Sequence, residues 1–145
     1  MPPAGRRDPL PGHEFVVEIE GVATAAFKEV SGLDGSIDVV EYREGADPTG
    51  TTRKLPGLVR YGNVTLRRGL TDSRELYQWW RAVADGKPDR RTAAVVLLDR
   101  QQKEVRRWTL RQAWPARYAV STLDAGVSGI AVETLVLAHE GFDLD

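Results

Sequence analysis

The fold is decided by the stretch LRRGLTDSRELYQWWRAVADG, which occupies residues 66–86. Within this stretch, large apolar residues recur at the i, i+3, i+4 and i+7 spacing of one helix face. These residues are Leu76, Trp79, Trp80 and Val83. The pattern predicts an amphipathic helix over about residues 72–85, with its apolar face packed on the rest of the chain.

Both ends of this helix carry recognisable signals. Thr71 or Asp72 can cap its start, and Asp72 with Glu75 three residues later resembles a capping box. Gly86 stands where a left-handed residue commonly ends a helix, and Pro88 follows it.

The composition is that of one globular domain. The chain has 145 residues, of which 41% are hydrophobic and 28% are charged. Its net charge of −1 does not favour a nucleic acid or an anionic membrane as a partner. The absence of cysteine excludes disulfides, a thiol nucleophile and cysteine metal sites. Residues 1–12 are rich in proline, which predicts a flexible N-terminal arm ahead of a single domain at 13–145.

No targeting or membrane segment is recognisable. The N-terminal residues lack the apolar core of a secretory signal, and no stretch approaches the ~20 apolar residues of a spanning helix. We therefore expect synthesis in the cytoplasm without membrane anchoring, and any export by another route.

Outside the helix, apolar runs and alternations predict about seven strands. They cover residues 15–20, 27–30, 36–44, 58–68, 92–98, 103–114 and 128–139. One helix is too few for an alternating βαβ fold, so the sequence predicts a mainly β domain, a small antiparallel barrel or sandwich with one flanking helix. Several strands are apolar on both faces, more than one helix can cover, which favours an oligomer.

The longest polar, turn-rich stretch lies between two of these strands, at residues 45–56. Loops of this length in compact domains are often functional. Its glycines are spaced as in a phosphate-binding loop, but Thr51 stands where the lysine is required, and no helix follows. The stretch is therefore predicted to reach toward a partner and not to bind a nucleotide.

No residue pattern indicates an active site. His13 and His139 are far apart in the sequence, and no cluster of histidines and carboxylates has metal-ligand spacing. Ser31 and Ser128 do not lie in a nucleophile-elbow motif. The four tryptophans are interpreted as core residues, with Trp79 and Trp80 on the inner face of the helix and Trp108 and Trp114 on the strand face that carries Leu110. The residues thus predict a structural or binding protein that is not an enzyme and uses no cofactor or metal.

Eight short motifs, taken in order, resemble the tail-tube family of contractile phages and phage-tail-like contractile injection systems. They are FVVEIEG at 15–21, FKEVSGL at 27–33, EYREG at 41–45, RKLPG at 53–57, LRRGLT at 66–71, the helix with Trp79 and Trp80, AWP at 113–115, and AVETL at 131–135 running into HEG at 139–141. Together they span nearly all of residues 13–141.

The resemblance implies a structural subunit of an inner tube. Six copies would form a ring whose inner strands join into one large β-barrel, and stacked rings would form a hollow tube inside a contractile sheath. The implied partners are further copies of the chain, the sheath protein, the baseplate and spike hub, and cargo in the lumen. The implied location is the cytoplasm of the producing bacterium, followed by a virion or an injection particle. The family has no catalytic, cofactor or metal residues to carry over.

Two sets of residues are candidates for roles in such a tube. The polar sides of two strands are candidates for the lumen surface, as in large barrels: Asn63, Thr65, Arg67, Arg107, Thr109 and Arg111. The long loop is a candidate for contact with a neighbouring ring through Asp47, Thr49, Arg53, Lys54 and Leu55. The competing interpretations are an ordinary solvated face and a mobile surface loop.

Three other functions stay open at this stage. A tube-initiator or terminal paralogue near the baseplate belongs to the same structural class. A monomeric ligand-binding β-barrel, or an enzyme with an unrecognised site, would instead contain an enclosed apolar pocket. A nucleic-acid-binding barrel is disfavoured by the near-neutral charge.

Overall fold

The computed structural model describes residues 14–25, 27–43, 45–46, 50–126 and 129–145. The predicted arm at 1–12 and two of the loop candidates, Asp47 and Thr49, lie outside these residues. The described elements, in chain order, are β1 Glu14–Ile19, β2 Val22–Ala25, β3 Glu29–Ser31, β4 Gly35–Tyr42, β5 Arg53–Tyr61, β6 Val64–Gly69, α1 Glu75–Ala84, β7 Arg91–Leu98, β8 Glu104–Val120, β9 Val132–Ala138 and β10 Phe142–Leu144.

Eight of the strands form one sheet. Its order is β2-β1-β7-β8-β9-β6-β3, and β10 pairs beside β8. Every described pairing is antiparallel, and the sheet curls into a half-barrel. The other two strands, β4 and β5, form a separate two-stranded sheet. The mainly β, antiparallel fold with one flanking helix predicted from the sequence is therefore confirmed.

Strand β8 joins the two halves of the curled sheet. Its residues 104–113 pair with β7, and β10 lies along the other edge of this part. Its residues 114–120 pair with β9 instead. Near the junction, Gln112 has a φ of +53°, a left-handed conformation that breaks the regular extended strand.

This irregularity changes which residues of β8 face the core. Leu110 and Ala113 are 1% and 0% exposed, an interval of three residues that strict alternation does not allow. Pro115 is also buried, whereas Trp114, which lies between Ala113 and Pro115, is only partly buried. The prediction that Trp114 shares the face of Leu110 is therefore wrong, because the bulge reverses the alternation.

The core lies between one face of the half-barrel and α1. Its buried members are Val17, Ile19, Phe27, Val64, Leu66, Leu76, Trp79, Ala93, Val95, Leu110, Ala113, Leu135 and Leu137. The helix contributes Leu76 and Trp79, each 1% exposed, while Val83 packs at the margin and Trp80 is only partly buried. Trp79 also donates a 2.8 Å hydrogen bond from Nε1 to the carbonyl of Asp89.

The start of α1 differs from the prediction. The helix begins at Glu75 after Arg74, and the side chain of Arg74 makes no capping hydrogen bond. The Asp72–Glu75 capping box does not form, because the backbone N–H of Glu75 points to the hydroxyl of Ser73 at 3.4 Å. The hydroxyls of Thr71 and Ser73, each of which accepts from the backbone N–H two residues later, thus bridge the turn that leads into the helix.

The end of α1 agrees with the prediction. Gly86 has a φ of +89°. Its N–H donates to the carbonyl of Val83, and the N–H of Lys87 donates to the carbonyl of Ala82, each at 3.0 Å. This pair of bonds is a Schellman motif, which requires the left-handed residue that glycine supplies.

Several strand boundaries differ from the prediction. The predicted strand at 58–68 is two strands, β5 and β6, separated by Gly62 and Asn63. β5 begins at Arg53, inside the predicted loop at 45–56. β8 extends six residues beyond its predicted end, and the short strands β2 and β10 were not predicted. The structure therefore converts part of the expected loop into a hairpin.

Candidate assembly surfaces

The hairpin formed by β4 and β5 carries exposed apolar side chains on both faces. These large residues are 47–67% exposed: Ile37, Val39, Val40, Tyr42, Leu55, Leu58 and Val59. A two-stranded hairpin is marginally stable alone in water, and a contiguous exposed apolar patch is typical of an interaction surface. The hairpin is therefore the strongest candidate for an interface.

The hairpin continues the strand pair β3–β6. Ser31 lies opposite Thr65 in that pair, and Gly35 lies opposite Tyr61 at the start of the hairpin. Residues 29–42 and 53–67 thus form one long two-stranded ribbon with an interruption in the middle. Its inner part belongs to the main sheet, and its outer part pairs only with itself.

Aromatic side chains fix the base of the hairpin. The Tyr61 ring lies 5.3 Å from Phe142 and 5.9 Å from His139, centroid to centroid. Nε2 of His139 lies 2.8 Å from the carbonyl oxygen of Gly62, and its Nδ1 accepts a 3.1 Å hydrogen bond from the N–H of Gly141. His139 therefore links the end of β9 to the hairpin base.

Three of the predicted ring-contact residues lie in the distal half of this hairpin. Arg53 is opposite Tyr42, and Leu55 is opposite Val40, so these four residues share one face. Lys54 points to the other face, because side chains alternate along a strand. The structure thus brings Arg53, Lys54 and Leu55 together on the hairpin rather than on a loop.

The first group of lumen candidates lies on the uncovered face of β6. Val64 and Leu66 are 0% exposed and point into the core, so Asn63, Thr65 and Arg67 point to the opposite side. Arg67 forms a 3.4 Å ion pair with Glu29 of β3. This pair is well exposed on both sides, so it contributes little to stability.

The second group lies on the other half of the sheet, in a charged network. Arg107 contacts Glu18 at 3.0 Å and Glu104 at 2.7 Å. The hydrogen bonds that Arg107 donates to the carboxylates of Glu104 and Glu18 raise the pKa of Arg107 above its ordinary value.

The side chains of two more lumen candidates contact carboxylates at the C-terminal end of the chain. Arg111 contacts Asp143 at 2.6 Å, which raises the pKa of Arg111. Thr109 contacts Asp145 at 3.0 Å. The two groups of lumen candidates therefore lie on different halves of the sheet, on either side of the irregularity in β8.

Both edges of the half built from β8, β9, β6 and β3 are open among the described strands. On one side, residues 114–120 of β8 pair with β9 alone. On the other side, β3 pairs with β6 alone, and β4 with β5 alone. Open edges present backbone N–H and C=O groups that another chain can pair with.

A buried polar group lies beneath this half of the sheet. Arg68 and Glu133 are 6% and 2% exposed and form a 2.8 Å ion pair. Tyr118 donates a 2.6 Å hydrogen bond to the other carboxylate oxygen of Glu133. Burial, together with this bond to a carboxylate, raises the pKa of Tyr118 to about 12. The group connects β6, β8 and β9.

The structure also contains candidate surface residues that the sequence patterns did not single out. Leu123 and Ile130, in the connection between β8 and β9, are 73% and 82% exposed. The available signal was the presence of a leucine and an isoleucine in a connecting segment made mostly of small and polar residues. Within the described residues, no group of three or more histidines and carboxylates could hold a metal ion. No helix of the described chain is long and apolar enough to cross a membrane.

The family model described as T4-like virus tail tube protein gp19 matches residues 11–143. The chain belongs to this family. The resemblance found in the eight sequence motifs is therefore confirmed. None of the curated proteins compared with the chain matches it.

Solved structures of tube assemblies share the fold. A chain of the PVC sheath-tube complex, from an extracellular contractile injection system in the extended state, is 28% identical with a TM-score of 0.84, covering 94% of this chain and 91% of that chain. A chain of the PVC sheath/tube terminator structure is 28% identical with a TM-score of 0.85, covering 96% and 98%. Hcp1 from Flavobacterium johnsoniae is 15% identical with a TM-score of 0.60, covering 91% of this chain and 94% of that chain. At this identity the similarity shows a common fold and nothing further.

Proposed function

We propose that the chain is the structural subunit of an inner tube of a contractile injection system or phage tail, and that it assembles into stacked hexameric rings without catalysing a reaction. The observation that carries this proposal is the hairpin with exposed apolar residues on both faces, in a chain of the tail tube family. A free copy would leave this surface in water, whereas an assembled copy can bury it.

The strand directions allow rings to close by sheet extension. The strands β8, β9, β6 and β3 are neighbours and alternate in direction. The two outer strands of this group therefore run in opposite directions. The open edge at β3 and β4 of one copy can thus pair in antiparallel fashion with residues 114–120 of β8 in the next copy. Six copies would contribute four strands each to one closed barrel, which has no open edge.

The uncovered face of these four strands would line the lumen. The opposite face holds the core and α1, so a ring with the helix outside directs Asn63, Thr65 and Arg67 inward. This proposal leaves Arg107, Thr109 and Arg111 outside the lumen, because they belong to the half of the sheet beyond the bend in β8.

The proposed partners are further copies of the chain, a sheath protein, and a baseplate with its hub, with cargo in the lumen. Support comes from the PVC structures, whose assemblies contain sheath and tube. The proposed location is the cytoplasm of the producing bacterium and then an injection particle. A terminal paralogue is the second candidate, because the sheath-tube and terminator structures match with TM-scores of 0.84 and 0.85.

Electron microscopy of the purified chain, combined with its mass in solution, tests the proposal. We expect rings with six-fold end views, alone or stacked into hollow tubes. Copy number per particle then separates a tube subunit, present in many copies, from a terminal paralogue. A monodisperse monomer over the micromolar range, with a small molecule bound specifically, would contradict the proposal and favour the ligand-binding barrel.

A further inference from the structure

We propose that His139 positions the β4–β5 hairpin only while its imidazole ring is neutral, and that protonation of this ring releases the hairpin base at Tyr61 and Gly62. Assembly of the chain is then lost as the pH falls. The release is a property of a single copy, whereas its effect on assembly rests on the proposed tube function.

The contacts at the hairpin base connect the hairpin to the body. Among the described strands, β4 and β5 pair only with each other. The Tyr61 ring packs against the rings of His139 and Phe142. The carbonyl oxygen of Gly62 lies 2.8 Å from Nε2 of His139. These contacts therefore hold the hairpin base against the residues that follow β9.

Both ring nitrogens of His139 make contacts that require a neutral ring. A carbonyl oxygen can only accept a hydrogen bond, so Nε2, which faces the Gly62 carbonyl, carries the proton. A backbone N–H can only donate, so Nδ1, which lies 3.1 Å from the N–H of Gly141, carries none. A proton added to Nδ1 would face the N–H of Gly141, and this hydrogen bond would be lost.

The backbone of Gly141 is fixed and does not make room for that proton. Its carbonyl accepts a 2.8 Å hydrogen bond from the N–H of Arg111, and the N–H of Glu140 donates to the carbonyl of Arg111 at 2.9 Å. A Cβ on Gly141 would lie 2.9 Å from Cε2 of Tyr61, so the Tyr61 ring packs directly on this backbone. The His139 ring must therefore turn instead, and turning takes Nε2 away from the hairpin base.

A positive charge already lies close to the ring. The guanidinium of Arg111 in β8 packs against Gly141, the residue that bonds to Nδ1. Arg111 contacts the carboxylate of Asp143 in β10 at 2.6 Å and also interacts with Tyr61 of β5. Protonation of His139 would add a second positive charge beside this guanidinium, and like charges repel.

The carboxylates on the other sides of the ring already have partners. Glu140, the next residue in the chain, forms a 2.9 Å ion pair with Arg90. Asp34, beside the start of β4, accepts a 3.2 Å hydrogen bond from the N–H of Gly62. An imidazolium would have to compete with these existing partners.

The direction of the pH dependence follows from the number of bound protons. Histidine ordinarily changes charge between about pH 5 and 8, and aspartate and glutamate ordinarily do so at lower pH. The docked hairpin excludes a proton from Nδ1, whereas the released His139 can bind one. Docking is therefore complete at the upper end of this range and is lost as the pH falls.

Hydrogen exchange of the chain, diluted below the concentration at which it assembles, tests the release. Protection factors remove the pH dependence of the chemical exchange itself. We expect protection in Gly35–Tyr42 and Arg53–Tyr61 to fall at least about tenfold between about pH 8 and 5.5, while the amides of β6 and β9 keep theirs. Unchanged hairpin protection would overturn the proposal, and so would an equal loss in β6 and β9, which would indicate unfolding of the whole chain.

Two variants with matched geometry isolate His139. His139→Gln keeps a donor that can reach the Gly62 carbonyl but does not titrate, so its hairpin should stay protected at both pH values. His139→Asn keeps an acceptor for the N–H of Gly141 but is too short to reach Gly62, so its hairpin should be weakly protected at both. Both variants retain His13, and a pH step caused by His13 would therefore persist in them. The same pH step in His139→Gln as in the unsubstituted chain would overturn the proposal.

Light scattering at the same two pH values separates this inference from the proposed function. We expect the unsubstituted chain to need about tenfold more protein to assemble at the lower pH, the factor that corresponds to ~1.4 kcal/mol, and His139→Gln to show little change. Equal assembly at both pH values, with the hairpin released at the lower one, would overturn the effect on assembly and leave the tube function intact. A pH-dependent hairpin in a chain that forms no rings at either pH would support the release and overturn the proposed function.

Discussion

The body of the protein and its β4–β5 hairpin contain the same kinds of apolar residue but use them differently. Val64 in β6 is 0% exposed, whereas Val59 in β5, five residues earlier, is 58% exposed. Val64 is buried within a single copy of the chain, whereas Val59 can be buried only by another copy. The comparison teaches that substitutions in the body should change the free energy of unfolding, whereas substitutions in the hairpin should change assembly.

The largest effect is expected in the body, at the helix. Trp79→Ala removes a ring that is 1% exposed, together with its hydrogen bond to the Asp89 carbonyl and the Arg91 guanidinium 4.9 Å above the ring. We expect a loss of ~3–5 kcal/mol in the free energy of unfolding, measured by denaturant titration. Trp80→Ala is the matched control, since Trp80 is only partly buried. Equal losses in the two variants would contradict the asymmetric packing of α1.

A loss of similar or slightly smaller size is expected at the buried ion pair. Glu133→Leu leaves the guanidinium of Arg68 buried without its partner, and breaking a buried pair on one side costs ~3–5 kcal/mol. The double variant with Arg68→Met should recover most of this loss, because an apolar pair of similar volume needs no compensation for buried charge. Thermal or denaturant unfolding of the three proteins measures the effect. Additive losses in the double variant would show that the two side chains do not act as a pair.

The body was more predictable from sequence than the hairpin. The helix was found because four apolar residues repeat at its period and Gly86 ends it, and both signals are local. The break between β5 and β6 was missed, although glycines marked it. A Cβ at Gly62 would approach the Asp34 carboxylate at 2.5 Å, and Gly32 has a φ of +89°. The role of these two glycines depends on close contacts between neighbouring strands. Such contacts cannot be read from one stretch of sequence.

The candidate surfaces were only partly predictable for a related reason. Apolar residues on both faces of β4 predicted an uncovered surface, but the pattern does not reveal whether the chain itself covers it. The sequence gives no sign that the alternation of β8 reverses at Gln112, since glutamine rarely adopts a positive φ. Without that bend, Arg67 and Arg107 looked like parts of one lumen surface. In the structure they lie on different halves of the sheet.

The smallest effect on unfolding, and the sharpest test of the comparison, comes from two valines. Val64→Ala should lower the free energy of unfolding by about 1.5–3 kcal/mol, because it removes two buried methyl groups and leaves a cavity. Val59→Ala should change the unfolding of the isolated chain by less than ~0.5 kcal/mol, as exposed substitutions do.

Assembly should show the opposite order. If Val59 is buried between copies, its truncation should raise the protein concentration needed for rings or tubes about tenfold, the factor that corresponds to ~1.4 kcal/mol. Light scattering against protein concentration measures this shift, and circular dichroism under non-assembling conditions measures unfolding. A Val59→Ala chain that assembles normally would mean that this face of the hairpin stays in solvent, either in the lumen or outside the tube. A Val59→Ala chain that unfolds more easily would mean that the hairpin packs on its own body. Either result would contradict the claim that the body determines the stability of the fold and the hairpin determines assembly.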